Sequence, residues 1–337
     1  MGRRYEFDIP RLLAPPQFQG YDVGRLRRIS FLAPLRRSMT DFYVHTTNEP
    51  LWRDAARRLR RSQLVTDRSR AEAEVFDGAA IAKLPAIRAA IDAGRHAVVA
   101  AEPGLSQEQL ASLAEAARGK GVLFAMLNPE RFLPSRELML SQLAIGEQSG
   151  PLGTPEFVRA HRWENHVAPA PLGLPGPLVG EIEIASQLFL RPVRTVFALR
   201  PAGLSAWQLH LGFCPGMAVI DYCDSLQGTT AVGYRSLSII GSRGSTQIDD
   251  HTNTQPAYVG GSGPTGLTVG EGVVHLTKLL DYAAGMLELG GRSKAEAEAK
   301  WLASVSQAEE IVAAVEAVKK SLATGEAVTL ETREAAR

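Results

Sequence analysis

The sequence predicts an α/β chain in two parts: a parallel sheet with its helices over residues 1–150, then an α+β half over residues 151–330 built on an open, mostly antiparallel sheet. Two observations carry this expectation. Between Ile81 and Gly150 short apolar strands alternate with amphipathic helices, the pattern of consecutive βαβ units, whose strands run parallel. After Pro155 the pattern changes to apolar runs parted by turn residues, which reads as antiparallel strands.

The elements follow in chain order. Leu26 to Ala33 (LRRISFLA) reads as a first strand, Gln63 to Asp67 as a second and Glu74 to Ala80 as a third, with a helix beginning near Pro50-Leu51-Trp52. Ala82 to Ala93 has helical apolar spacing and Gly94 closes it. His96 to Ala101 (HAVVAA) is a continuous apolar run suited to a strand buried on both faces. Ser106, with Glu108 and Gln109 behind it, caps a helix that runs to Arg118 and ends at Gly119 and Gly121; Val122 to Leu127 is the next strand. A third helix follows Pro134-Ser135 and stops at Gly146 to Gly150.

In the second half, strands are predicted over Glu156–His161, Thr195–Leu199, Ala206–Phe213, Met217–Cys223, Tyr234–Ile240 and Thr246–Asp249, with Leu178–Leu190 as a helix packed on them. Gly272–Leu289 and Ser306–Thr324 read as long helices, the second closed by Gly325. An open sheet must cover its second face, and Trp163, Trp207, Phe213 and Tyr222 supply apolar surface for that, so a homo-oligomer formed through the C-terminal sheet is expected.

Composition narrows the function classes. With 337 residues, 45% hydrophobic and 22% charged, the chain is an ordinary globular composition of about two-domain length. No run of about 18 apolar residues and no leader-like start occurs, so a cytoplasmic protein without membrane contact is expected. Cys214 and Cys223 form neither a disulfide framework nor a ligand set, and no H-x-H, H-E-x-x-H or C-x-x-C spacing exists, so no metal is expected. Arg25 to Arg70 holds twelve arginines against Asp41, Glu49, Asp54 and Asp67; without an accompanying RNA motif or zinc finger, this reads as a solvated helix face and not as a nucleic-acid surface.

The run Ala93-Gly94-Arg95-His96, Pro103, Asn128, Arg131-Phe132, Leu152-Gly153 and Val158-Arg159 resembles, in order and spacing, the Gfo/Idh/MocA family of nicotinamide-dependent sugar and polyol oxidoreductases. The resemblance implies a Rossmann-like first domain, an open-sheet second domain, and a terminal helix that packs back on the first domain with a short extended segment returning to it. It also implies a ligand crevice at the carboxyl ends of the parallel strands. In the family a lysine of an E-K-P motif and a histidine of a D-x-x-x-H-x-x-D helix work on the substrate hydroxyl while hydride passes to the nicotinamide. Here the lysine position is Glu102, and the helix positions fall at Gly176, Gly180 and Glu183; no His, Asp or Lys occurs from Gly173 to Arg194.

The nucleotide motif departs too. After the expected first strand the chain reads Pro34-Leu35-Arg36-Arg37-Ser38-Met39, and no glycine occurs between Gly24 and Gly78, so a glycine-backed pyrophosphate turn cannot form. The literal G-x-G-x-x-G at Gly261 to Gly266 carries Pro264 and follows a polar segment, which reads as a loop. The expectation is therefore a degenerate Rossmann-like domain that holds no cofactor, with NAD or NADP as the alternative, held by arginines of residues 25–70 with His45 or His161 as base.

The resemblance places a pocket for a small hydroxylated molecule at Glu102, Asn128, Arg131, His161 and Glu183, with a paralogous subunit as the other partner class. A non-redox lyase or isomerase using Glu102 and Glu183 as acid and base is a further alternative.

Overall fold

The computed structural model describes residues 39–59, 62–143, 150–165, 172–226, 234–249, 254–257, 265–268, 273–292 and 294–331. Met39–Arg337 forms one compact unit. Its first sheet comprises β1 (Thr40–His45), β2 (Ser62–Leu64), β3 (Ala73–Asp77), β4 (His96–Ala100) and β5 (Phe124–Met126), in the spatial order β2-β1-β3-β4-β5 with every pair parallel. Helices α1 (Glu49–Ala56), α2 (Ala80–Asp92), α3 (Gln107–Lys120) and α4 (Pro134–Gln142) connect or follow these strands. The chain leaves β1 to one side for β2 and returns on the other side as β3. The strand order thus reverses between β1 and β3, the place where open parallel sheets hold ligands.

Local chemistry sets these elements. Ser106 and Gln109 form a reciprocal capping box at the start of α3, and Gly121 ends that helix at φ 67°, a conformation that glycine adopts without cost. The central strands are buried on both faces: Val75, Val98 and Ala125 pack with Trp52 of α1, while Phe76, Val99 and Phe124 pack toward α2 and α3.

The second sheet comprises β6 (Pro155–Asn165), β7 (Thr195–Leu199), β8 (Ala206–Gly212), β9 (Met217–Leu226), β10 (Tyr234–Gly241), β11 (Gly244–Asp249) and β14 (Val328–Thr329), in the order β11-β10-β6-β9-β8-β7-β14. Only β6 and β9 pair in parallel; the other neighbours are antiparallel. The strands β12 (Thr254–Ala257) and β13 (Thr265–Thr268) form a separate hairpin pair. Helix α5 (Gly176–Phe189) lies on the inner face of the seven-stranded sheet. Of the long helices α6 (Val274–Arg292) and α7 (Lys294–Thr324), α6 covers α1 on the parallel sheet, while α7 packs on α3, β5, α5 and β7. One continuous apolar core, from Phe76 and Leu110 through Met126 to Ile182, Ile220 and Val315, joins the two sheets.

Several expectations change in position. The first described strand is Thr40–His45, alternating in burial, and the expected strand Leu26 to Ala33 lies outside the described residues. The turn after this first described strand is His45-Thr46-Thr47-Asn48, and the expected turn from Pro34 lies outside the described residues up to Ser38. The segment after α7 joins β7 at the edge of the seven-stranded sheet instead of returning to the parallel sheet. Gly261 to Pro264 lie outside the described residues, and Thr265 opens β13. Finally, Trp207, Phe213 and Tyr222 are 7%, 7% and 2% exposed, on the inner face; of the four aromatics only Trp163 points outward, at 46%.

Candidate functional site

The carboxyl ends of β4 and β5 present Glu102 and Asn128, and α5 lies directly against them. A Cβ added at Gly180 would stand 3.2 Å from Glu102 Cγ and 3.3 Å from Asn128 Nδ2, and one at Gly176 would stand 3.8 Å from Glu102 Oε2. Gly176 and Gly180 of α5 thus face Glu102, and Gly180 faces Asn128 as well. Absence of side chains at these two positions lets the helix approach the strand ends closely.

Four of the five expected pocket residues converge here. Asn128 precedes a 3-10 turn, Pro129–Phe132, and its Oδ1 accepts from the Glu130 amide at 3.0 Å. Arg131 lies over the Phe132 ring, with its charge facing Glu183. Burial pushes the Glu183 carboxyl up to about 7, with Arg131 and a hydrogen bond from Asn128 opposing the rise and Glu102 and Glu130 reinforcing it. Burial, with the charge of Glu130, also pushes Glu102 upward. Glu183 Oε2 and Asn128 Nδ2 are both buried, with the Asn128 amide as the donor beside the carboxyl.

His161 is the exception. Successive residues of a strand face opposite sides, and on β6 it is Val158, Ala160 and Arg162 that are buried, which puts His161 on the outer face. There its Nδ1 sits 3.2 Å from Asp221, which also takes Arg159 and Gln208. His45 is likewise diverted from the crevice: it bonds Glu74 at 2.6 Å and stacks on Phe76 at 4.4 Å. Burial raises Glu74, but His45, Arg68 and Arg95 more than offset it and hold the group at about 2.

The residue next to His161 supplies what sequence reasoning missed. Arg162, 4% exposed, donates from Nη1 and Nη2 to Glu130 at 2.8 and 2.9 Å, from Nη1 to Glu181 at 3.2 Å and from Nε to Glu164 at 2.7 Å. Arg235 of β10 adds a bond to Glu130 at 2.7 Å. Burial alone would raise Glu130, yet the two guanidinium charges bring it down to about 2. The apolar alternation of Val158 and Ala160 was the signal that puts Arg162 inward. Beside this cluster, Tyr222 Oη and Asp224 Oδ1 are buried without partners.

At the β1–β3 reversal, Thr46 Oγ1 donates to Asp77 at 2.5 Å and accepts from the Asn48 amide at 2.9 Å, while Trp52 Nε1 donates to the same carboxylate at 2.9 Å. The Lys83 ammonium donates to the carbonyls of His45 and Asp77, the last residues of the two strands. Asn48 precedes α1 without capping it through its side chain, and Glu49 in its first turn pairs with Arg53. A dinucleotide's phosphates would meet here a lysine, threonine hydroxyls and the uncapped start of a helix, with both nearby acids already paired. These residues fit a dinucleotide held by side chains; they do not fit one cradled on glycine backbone.

No family model and no curated protein matches the sequence. Solved structures do match. GenD2 from gentamicin A biosynthesis, in complex with NAD, superposes with a TM-score of 0.66 at 16% identity over 88% of this chain and 97% of that one. An inositol dehydrogenase homolog from Azotobacter vinelandii, complexed with NADH and myo-inositol, gives 0.64 at 15% over 88% and 98%. The aldose-aldose oxidoreductase from Caulobacter crescentus, complexed with glycerol, gives 0.64 at 14% over 87% and 100%. These likenesses establish the fold. They also overturn the expectation that no cofactor is held, since two of the three hold a nicotinamide dinucleotide on this same fold.

Proposed function

Because the chain carries the fold of the Gfo/Idh/MocA dehydrogenases, we propose that it binds a nicotinamide dinucleotide and a hydroxylated, sugar-like or polyol-like ligand but does not perform the lysine- and histidine-assisted oxidation of that fold class. The observation that carries this reading is the contact of Glu102 with Gly176 and Gly180. When bound, the dinucleotide supplies a hydride acceptor. What the chain must add is a group that draws the proton from a substrate hydroxyl. An ammonium beside a hydroxyl stabilises the developing alkoxide; a carboxylate there raises its energy. With Glu102 in that place and no side chain at Gly180, the site can hydrogen-bond hydroxyl groups but has no cation aimed at them from either position.

Dinucleotide binding falls to Thr46, Thr47, the start of α1 and Lys83. Burial lowers the Lys83 pKa below its usual value, and the fixed carbonyls it bonds hold it over the ends of β1 and β3. The expected affinity is modest, with Kd about 0.1 mM, near 5.5 kcal/mol. Titration of the full chain with NADH, read by calorimetry, should saturate in that range, and Lys83→Ala should weaken it at least about tenfold, the worth of one charge-assisted hydrogen bond. A titration that stays flat to about 5 mM, below the 1 mM class of affinity, would remove the cofactor from this reading.

A second reading has one observation in its favour. A carboxyl poised at about 7 suits proton transfer at neutral pH, and its neighbour Glu130 at about 2 stays ionised, so Glu183 is the candidate acid or base of a non-redox elimination or isomerisation.

A further inference from the structure

The inner face of the seven-stranded sheet changes character along its strands. Leu237, Ala160, Ile220 and Leu209 stand side by side on β10, β6, β9 and β8 as an apolar row, and two residues along each strand the next row is Arg235, Arg162, Tyr222 and Trp207. This second row lies where Glu130 and Glu181 reach Arg162, so it borders the crevice. Tyr222 is 2% exposed, and Asp224, the next residue on the same face of β9, is 3% exposed. The Tyr222 ring packs on Trp207 at 5.6 Å, and the Trp207 ring carries the Arg200 guanidinium at 4.6 Å. Tyr222 Oη and Asp224 Oδ1 nonetheless have no partner. The cations of the row are engaged elsewhere: Arg162 bonds Glu130, Glu164 and Glu181, and Arg235 bonds Glu130. A carboxylate and a phenol are thus left together, shielded from water and short of a donor and a positive charge, which costs free energy until something fills the place.

We propose that Tyr222 and Asp224 form an ammonium subsite on the sheet side of the ligand crevice, and that the hydroxylated ligand is an amine-bearing one, an amino sugar or an aminocyclitol. This rests on the reading of that crevice as the ligand site and names its substrate class. An alkylammonium brings several N–H donors and one positive charge. One N–H meets Asp224 Oδ1 and another meets Tyr222 Oη, whose own proton stays free for a neighbouring ring hydroxyl. A hydroxyl in the same place could bond the carboxylate but would set no charge against it, and a hydrogen bond assisted by charge on both sides is the stronger one. The rest of the ligand then extends past the Arg162–Glu130 pair toward Glu102 and Asn128.

The test is calorimetric titration of the full chain at pH 7, with and without NADH, by matched pairs that differ in one group: glucosamine against glucose, and 1-amino-1-deoxy-scyllo-inositol against scyllo-inositol. In at least one pair the amine should bind at least about tenfold more tightly, and N-acetylglucosamine, which lacks the charge, should show no advantage over glucose. Asp224→Asn should abolish the preference while leaving the hydroxyl member of the pair within about twofold, and Tyr222→Phe should weaken the amine by about fivefold, the worth of one hydrogen bond. Without ligand, Asp224→Asn should leave the thermal midpoint unchanged or raise it, since it removes a buried charge that the chain does not pair. Equal binding within both pairs, a preference that survives Asp224→Asn, or a midpoint lowered by more than about 5 °C, the mark of a partner within the chain, would each overturn the ammonium subsite while leaving the crevice as a ligand site. Binding by neither member of either pair up to about 50 mM would instead remove the ligand reading itself, and the subsite with it.

Discussion

At the scale of single residues, two neighbouring carboxyls are pushed in opposite directions, and their partners decide which way. Two guanidinium groups hold Glu130 at about 2, while burial pushes Glu183 to about 7 against Arg131 and Asn128. The first is a clamp between halves of the molecule, because Glu130 belongs to the turn after β5 while Arg162 and Arg235 belong to β6 and β10. Removing one partner of a buried ion pair leaves the others uncompensated, at a cost of about 3–5 kcal/mol. Glu130→Ala should cost about that much in urea unfolding near pH 7. The acid limb supplies a second readout. A folded pKa of about 2 against an ordinary 4.5 means stability present above 4.5 and lost as pH falls toward 2, worth about 3 kcal/mol in all. The variant should lose that slope, and a slope equal to the parent's would show that Glu130 is not the clamp.

At the scale of elements, what was legible in the sequence was what is encoded locally. The helix from Ala80 and the capped helix from Ser106 lie within two residues of expectation, because Gly94, the capping box and Gly121 sit beside the backbone groups they satisfy. The continuous apolar run His96–Ala101 had only one reading as a strand, being buried on both faces. β1 was missed because it alternates: Asp41, Tyr43 and His45 lie on a half-exposed face, so Thr40–His45 carries a weaker apolar signal than Leu26 to Ala33. The candidate site was legible where it depends on strand ends, at Glu102 and Asn128, and where a helix alignment placed Gly176, Gly180 and Glu183. The Arg162 network was not, since Glu130 and Glu181 are 32 and 19 residues away; the alternation of Val158 and Ala160 could place Arg162 inward but not name these partners.

At the scale of the whole molecule, the two sheets share one core but expose different surfaces. The outer face of the seven-stranded sheet carries Trp163, Met217, Leu199 and Ile240, each at least 39% exposed, beside the Asp221 cluster of Arg159, His161 and Gln208. Exposed apolar side chains beside ordered charges on this outer face suit a self-complementary two-fold contact. We expect a dimer by light scattering at micromolar concentration, dissociated by Trp163→Glu together with Ile240→Glu; a monomeric parent would refute assembly through this face. Among the described residues no helix is long and apolar enough to cross a membrane.

The fold is that of solved nicotinamide-bound structures, and on the proposed function Glu102 and Gly180 leave a substrate hydroxyl without an activating group. The measurement that separates these is the initial rate of NAD and NADP reduction at 340 nm by the unmodified chain, across a panel of inositols, aldoses and linear polyols at saturating dinucleotide. The rate should be indistinguishable from the protein-free blank for every compound, even where the dinucleotide binds. A steady, enzyme-dependent rate with any of them would contradict the account.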